Sequence, residues 1–171
     1  FEGGPFEKRE LWRYDGVNPP VEALDLLAGG SGNPTNLTAF GPELCFSATT
    51  GPEGDELACW DGATTPDVYE LRAGGAGGSP EAMTAIGSTL YFAAFADGVG
   101  GEPFAYENFS PPELVGDVLP GPGSSTPESF AQLGTTIVFR AADSAGQGRV
   151  WSADGISPPT QVSLLLDVEG G

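Results

Sequence analysis

Apolar and polar residues come in short bursts along this chain, and each burst ends at glycine or proline. Glu81 to Ile86 reads as a short strand that breaks at Gly87-Ser88, and Thr89 to Phe95 follows with the aromatic residues that suit a pleated surface. The glycine-rich Asp97 to Gly101 turns the chain into Glu102 to Tyr106. Asn108-Phe109-Ser110-Pro111-Pro112 then turns it again into Glu113 to Leu119. Four antiparallel strands are predicted over this stretch.

The same pattern returns along the sequence. Glu10-Leu11-Trp12-Arg13-Tyr14-Asp15-Gly16 recurs 46 residues later as Glu56-Leu57-Ala58-Cys59-Trp60-Asp61-Gly62. It recurs more loosely from Glu102 to Asn108, and again from Arg149 to Gly155 after 47 residues. A second phrase keeps step with the first: Gly41 to Ala48 aligns with Gly87 to Ala94 and with Gly134 to Ala141. A period in the forties is that of a four-stranded blade, so the expected fold is all-β. It is a β-propeller-like array of four-stranded antiparallel blades, about three and a half repeats of 46–47 residues. Blades are expected at 35–73, 81–119 and 128–168, with a partial blade at 1–27, in a single repeat domain. The partial blade leaves an open edge, which invites a strand from another copy or from the remainder of a longer chain.

Composition agrees with this reading. The 171 residues include 27 Gly and 16 Pro, too many for long helices. Six Lys plus Arg against 24 Asp plus Glu give a formal charge of −18, which repels nucleic acid and anionic membranes and excludes both as principal partners. No apolar run is long enough to span a bilayer; Val162 to Val168 is interrupted by Ser163 and Asp167. The segment opens at Phe1 without a leader, so any signal peptide is expected to be removed or to lie outside it.

The repeat phrase resembles the ELWxxDGT repeat of secreted bacterial proteins. Glu10-Leu11-Trp12 with Asp15-Gly16 matches it fully; Glu56-Leu57 with Asp61-Gly62 and Trp151 with Asp154-Gly155 match in part. The third copy departs at Glu107-Asn108. The resemblance implies an extracellular propeller-like array within a larger surface protein, and it brings no reaction and no catalytic residues with it.

Several side chains carry candidate chemistry. The Asp-Gly pairs at 15–16, 61–62 and 154–155 fit turns in which Asp accepts nearby backbone N–H groups, and none has the spacing of a calcium loop. The better calcium candidates are Glu53, Asp55 and Glu56, or Asp97 and Glu102, on glycine-rich backbone. Recurring aromatics read as packing between blades, with Tyr14 and Tyr106 the first candidates for a glycan or other ligand. Cys45 and Cys59 fall opposite each other about a hairpin centred near residue 52, so a disulfide is expected, the alternative being two buried free thiols. Asn36-Leu37-Thr38 and Asn108-Phe109-Ser110 fit the glycan-acceptor pattern. Histidine is absent and the single lysine is Lys8, so no base accompanies the many hydroxyls.

The function expected is that of a secreted, non-enzymatic structural or adhesive module that assembles with itself through an open blade edge, as a surface layer, fibre or adhesin. An extracellular glycan- or calcium-binding module is the alternative, and an acidic glycosidase or lyase ranks last.

Overall fold

The computed structural model describes residues 8–107 and 109–162. The ends of the expected first and last blades, and Asn108, lie outside the described residues. Every described regular element is a β-strand. The strands fall in chain order into four antiparallel sheets. The first sheet holds β1 (Leu11–Arg13) and β2 (Val21–Leu24). The second is a meander of β3 (Thr35–Phe40), β4 (Glu43–Thr49), β5 (Asp55–Trp60) and β6 (Asp67–Tyr69). The third runs through β7 (Glu81–Ile86), β8 (Thr89–Ala96), β9 (Gly100–Glu107) and β10 (Glu113–Leu114). The fourth runs through β11 (Glu128–Leu133), β12 (Thr136–Ala142), β13 (Gly148–Ala153) and β14 (Thr160–Gln161). The fourth strand of the third sheet is shorter than the expected Glu113 to Leu119, because beyond Leu114 the chain leaves the sheet for the loop that ends it.

Local sequence explains the repeated geometry. A two-residue turn joins the first and second strands of each complete sheet, and its first residue is Gly41, Gly87 or Gly134 with φ of 55°, 62° and 63°. Only glycine enters that region freely. Each first strand also carries a bulge at its second residue, where the pairing register shifts. Asn36, Ala82 and Ser129 sit there with φ of 55°, 53° and 57°. Asparagine tolerates this conformation; alanine and serine are held in it by the surrounding ladder.

Side-chain alternation along the inner strands splits the core into layers between consecutive sheets. Phe46, Ala48 and Ala58 of the second sheet pack with Leu11 and Leu26. From the opposite face of the same sheet, Cys45, Leu57 and Cys59 pack with Leu90, Phe92, Phe104 and Tyr106 of the third. Phe130, Phe139 and Ala141 of the fourth sheet pack against Ile86 and Tyr91 of the third, with the Tyr91 and Phe130 rings stacked at 6.1 Å. No single sheet buries its own face, which is why the unit must repeat.

Cys45 and Cys59 are direct cross-strand partners on β4 and β5 and form a disulfide in the layer between the second and third sheets. The bond indicates an oxidising compartment. Among the described residues no helix is long and apolar enough to cross a membrane. Replacing both cysteines with alanine is expected to cost about 3 kcal/mol by the loop-entropy model, read as a lower denaturation midpoint, with a steeper slope because the denatured chain is no longer cross-linked. An unchanged midpoint would show that the staple contributes nothing.

Candidate functional site

The most repetitive chemistry in the molecule is a buried carboxylate. Glu10, Glu56 and Glu102, spaced 46 residues apart, are each buried at the entry to a third strand. Glu10 accepts the N–H groups of Leu26 at 2.7 Å and Gly32 at 2.9 Å. Glu56 accepts those of Leu71 at 2.9 Å and Gly78 at 3.0 Å. Glu102 accepts those of Val118 and Ser125, both at 2.9 Å, and also the Ser125 hydroxyl at 2.7 Å. Each carboxylate therefore spans the loop that leaves one sheet and enters the next.

The far end of each loop is held twice. While the N–H of Gly32, Gly78 or Ser125 goes back to the glutamate, the carbonyl goes forward to the second strand of the following sheet. Thr49 N–H donates to Gly32 at 2.8 Å, Phe95 N–H to Gly78 at 2.7 Å and Ala142 N–H to Ser125 at 2.7 Å. The approach is close: a Cβ on Gly78 would stand 2.6 Å from Leu71 Cβ and 2.9 Å from Glu56 Oε2. In the third repeat the span is one residue longer, and serine supplies an extra donor instead. The corresponding residue of the fourth repeat is Arg149, which faces Asp143 at 3.0 Å and Gln147 at 2.9 Å on the surface.

This arrangement leaves most of the calcium candidates with other partners. Glu56 and Glu102 spend their oxygens on backbone donors. Asp55 accepts from the Thr49 hydroxyl, Asp97 pairs with Arg72 and with the Ala73 N–H, and Glu53 is exposed. The five are not gathered into one group. Among the described residues, the one set of three potential metal-ligating side chains within 4.8 Å of one another is Glu43, Cys45 and Cys59, and its two sulfurs are spent in the disulfide. One buried side-chain oxygen, Asp117 Oδ1, has no partner among the described residues, and its negative charge adds to the burial that raises the Glu102 pKa.

Tyr14 and Tyr106 occupy equivalent repeat positions but opposite environments. Tyr106 is wholly buried; its hydroxyl donates to Glu43 at 3.1 Å and accepts from Tyr69 at 3.3 Å, so it presents no surface to a ligand. Desolvation pushes the Glu43 carboxyl above its ordinary value, and it pushes the Tyr106 phenol far up as well. Tyr14 is 65% exposed beside Trp12, itself 56% exposed. The Asp-Gly pairs form Asx turns: Asp15, Asp61 and Asp154 each accept the N–H groups two and three residues ahead. These bonds hold their pKa values down, that of Asp15 to about 2.

Opposite shifts fix a pH dependence. Burial raises Glu43, Glu56 and Glu102 above 4.5, so the folded chain binds their protons more tightly than the unfolded chain. The stability they contribute is full below 4.5 and is lost as pH rises through the raised values. Asp15, Asp61, Asp143 and Asp154 are depressed below 3.8, so theirs is present above 3.8 and lost as pH falls through the depressed values. Melting temperature is expected to peak at about pH 4–5 and to decline on both sides, more steeply on the alkaline side, where the growing net negative charge adds self-repulsion. A melting temperature that climbs steadily to neutral pH would contradict these assignments.

No family model, curated protein or solved structure matches this chain.

Proposed function

We propose that the chain is a non-enzymatic, extracellular β-propeller-like module of a structural or adhesive protein, completed across the open side of its first sheet by a second copy or by the remainder of a longer chain. The observation that carries this reading is the first sheet itself. It holds counterparts of the third and fourth strands of the other sheets, so among the described residues β1 lacks the neighbour that β4 gives to β5. Unpaired backbone on such an edge is a ready template for another strand.

The surface next to that edge supports the same reading. Trp12 and Tyr14 are the counterparts of Phe104 and Tyr106, which are buried against the second sheet. At the other end of the array, Leu133 and Val150 are 68% and 47% exposed, whereas their counterparts Phe40 and Leu57 are buried against the third sheet. One end thus carries the face that internally receives a following sheet, and the other carries the face that internally packs onto a preceding one. Joining unlike faces in this way is heterologous association, which builds rings or fibres.

A structural role also accounts for the carboxylates. The most buried ones serve backbone donors, and the chain contains no histidine to act as a base. The disulfide supports an extracellular setting, as does the resemblance to the secreted ELWxxDGT repeat. Mass photometry of the isolated chain is expected to give species heavier than 17.5 kDa, and Trp12→Asp is expected to return them to that mass. A 17.5 kDa particle at every concentration, or assemblies indifferent to Trp12→Asp, would overturn the self-assembly part of the proposal.

A further inference from the structure

The residue near the end of each third strand is aromatic in three repeats and small in the fourth: Tyr14, Trp60, Tyr106 and then Ala153. In the last three its side chain is turned toward the preceding sheet. Trp60 packs there in the layer between the first and second sheets. Tyr106 fills the layer between the second and third, its ring 5.6 Å from Phe40 and 5.2 Å from Tyr69, with its hydroxyl on Glu43. One repeat later, the residues in these four places are Ala153, Ile86, Val115 and Thr89. All four line a groove of about 620 Å³ between the third and fourth sheets. The groove is thus the space that a tyrosine ring occupies one interface earlier, vacated by the change to alanine.

The remaining lining decides what could fill it. Tyr91 and Ile137 extend the apolar floor. The rim carries Glu107, Glu113 and Asp154, and among the described residues no lysine or arginine lines the groove. The Thr89 hydroxyl donates to the Glu107 carboxylate at the depth where the Tyr106 hydroxyl meets Glu43 in the filled interface. Asp154 is held ionised by its Asx turn. A groove walled in part by Ile86, Val115, Ile137 and Ala153, with Glu107, Glu113 and Asp154 along its edge, selects against anions and favours a ring bearing a cation.

We propose that this groove is a binding site for an aromatic amine, whose ring takes the place of the missing aromatic side chain and whose ammonium group faces Glu107, Glu113 and Asp154. The assignment is independent of self-assembly, because none of its residues lies on the first sheet or on the outward side of the fourth.

Tyramine is a direct probe, since it joins the side-chain ring of tyrosine to an ammonium group. Titrated into the intact chain and followed by calorimetry and amide chemical shifts, it is expected to bind at about millimolar affinity with shifts centred on Thr89, Val115 and Ala153. 3-(4-Hydroxyphenyl)propionate, with the same ring and the opposite charge, and butylamine, with the charge and no ring, are expected to bind at least about tenfold more weakly. Ala153→Tyr, which restores the aromatic found in the other repeats, is expected to abolish binding. Glu113→Gln, on an exposed strand, is expected to weaken it several-fold with no change in melting temperature, and it keeps the test decisive if Ala153→Tyr does not fold. The proposal is overturned if tyramine does not bind at about 10 mM, if the propionate binds equally well, or if Glu113→Gln leaves the affinity unchanged. It is also overturned if a neutral disaccharide produces the same shifts more strongly than tyramine.

Discussion

The array depends on one repeated contact, a buried glutamate that accepts two backbone N–H groups across a loop. An unpaired backbone donor buried in such a loop would cost about 1–3 kcal/mol, and hydrogen bonds to a charged acceptor contribute about 1.5–3 kcal/mol each. Glu10, Glu56 and Glu102 therefore make a compact turn possible where glycine-rich sequence alone would leave a floppy one. Because the residue whose N–H the carboxylate accepts also accepts, at its carbonyl, an N–H from the next sheet, local loop geometry becomes a fixed relation between neighbouring sheets. The layers of Phe, Leu and Tyr between the sheets can pack only in that relation.

This constraint explains how an acidic chain tolerates buried carboxylates. The raised pKa values of Glu56 and Glu102 reflect the cost of burial, and the hydrogen bonds from Leu71, Gly78, Val118 and Ser125 offset part of it. The surface aspartates do the opposite. In their Asx turns they cap the third strands while remaining solvated, with depressed pKa values. One residue class thus performs two structural jobs, separated by burial.

Much of the architecture was legible in the sequence because the period was. The phrase beginning at Glu10 and the phrase beginning at Gly41 placed third and second strands correctly, and the symmetry of Cys45 and Cys59 about residue 52 gave the register of β4 and β5. The role of the glutamates was not legible, although Glu10, Glu56 and Glu102 share one repeat position. Glu56 and Glu102 stood out only as calcium candidates because acidic residues in glycine-rich loops suit that ion, and the donors that claim them lie 15 to 23 residues further along. The left-handed residues Ala82 and Ser129 were equally hidden, since neither type favours that conformation and only the ladder imposes it. Tyr14 and Tyr106 looked alike in sequence and differ in exposure because Tyr106 has a preceding four-stranded sheet to pack against. The groove was hidden for a related reason: it follows from what Ala153 lacks, and becomes visible only beside the ring of Tyr106.

If each glutamate couples one sheet to the next, amide hydrogen exchange in Glu56→Ala will register the loss of that coupling. Exchange is expected to be faster at Leu71 and Gly78, which lose their acceptor, and also at Phe95, whose acceptor is the Gly78 carbonyl and whose strand belongs to the following sheet. Glu53→Ala, a few residues away on the surface, should leave all three amides as protected as before. Continued protection of Phe95 in Glu56→Ala would show that no such coupling exists, because the third sheet would then hold its place without the carboxylate.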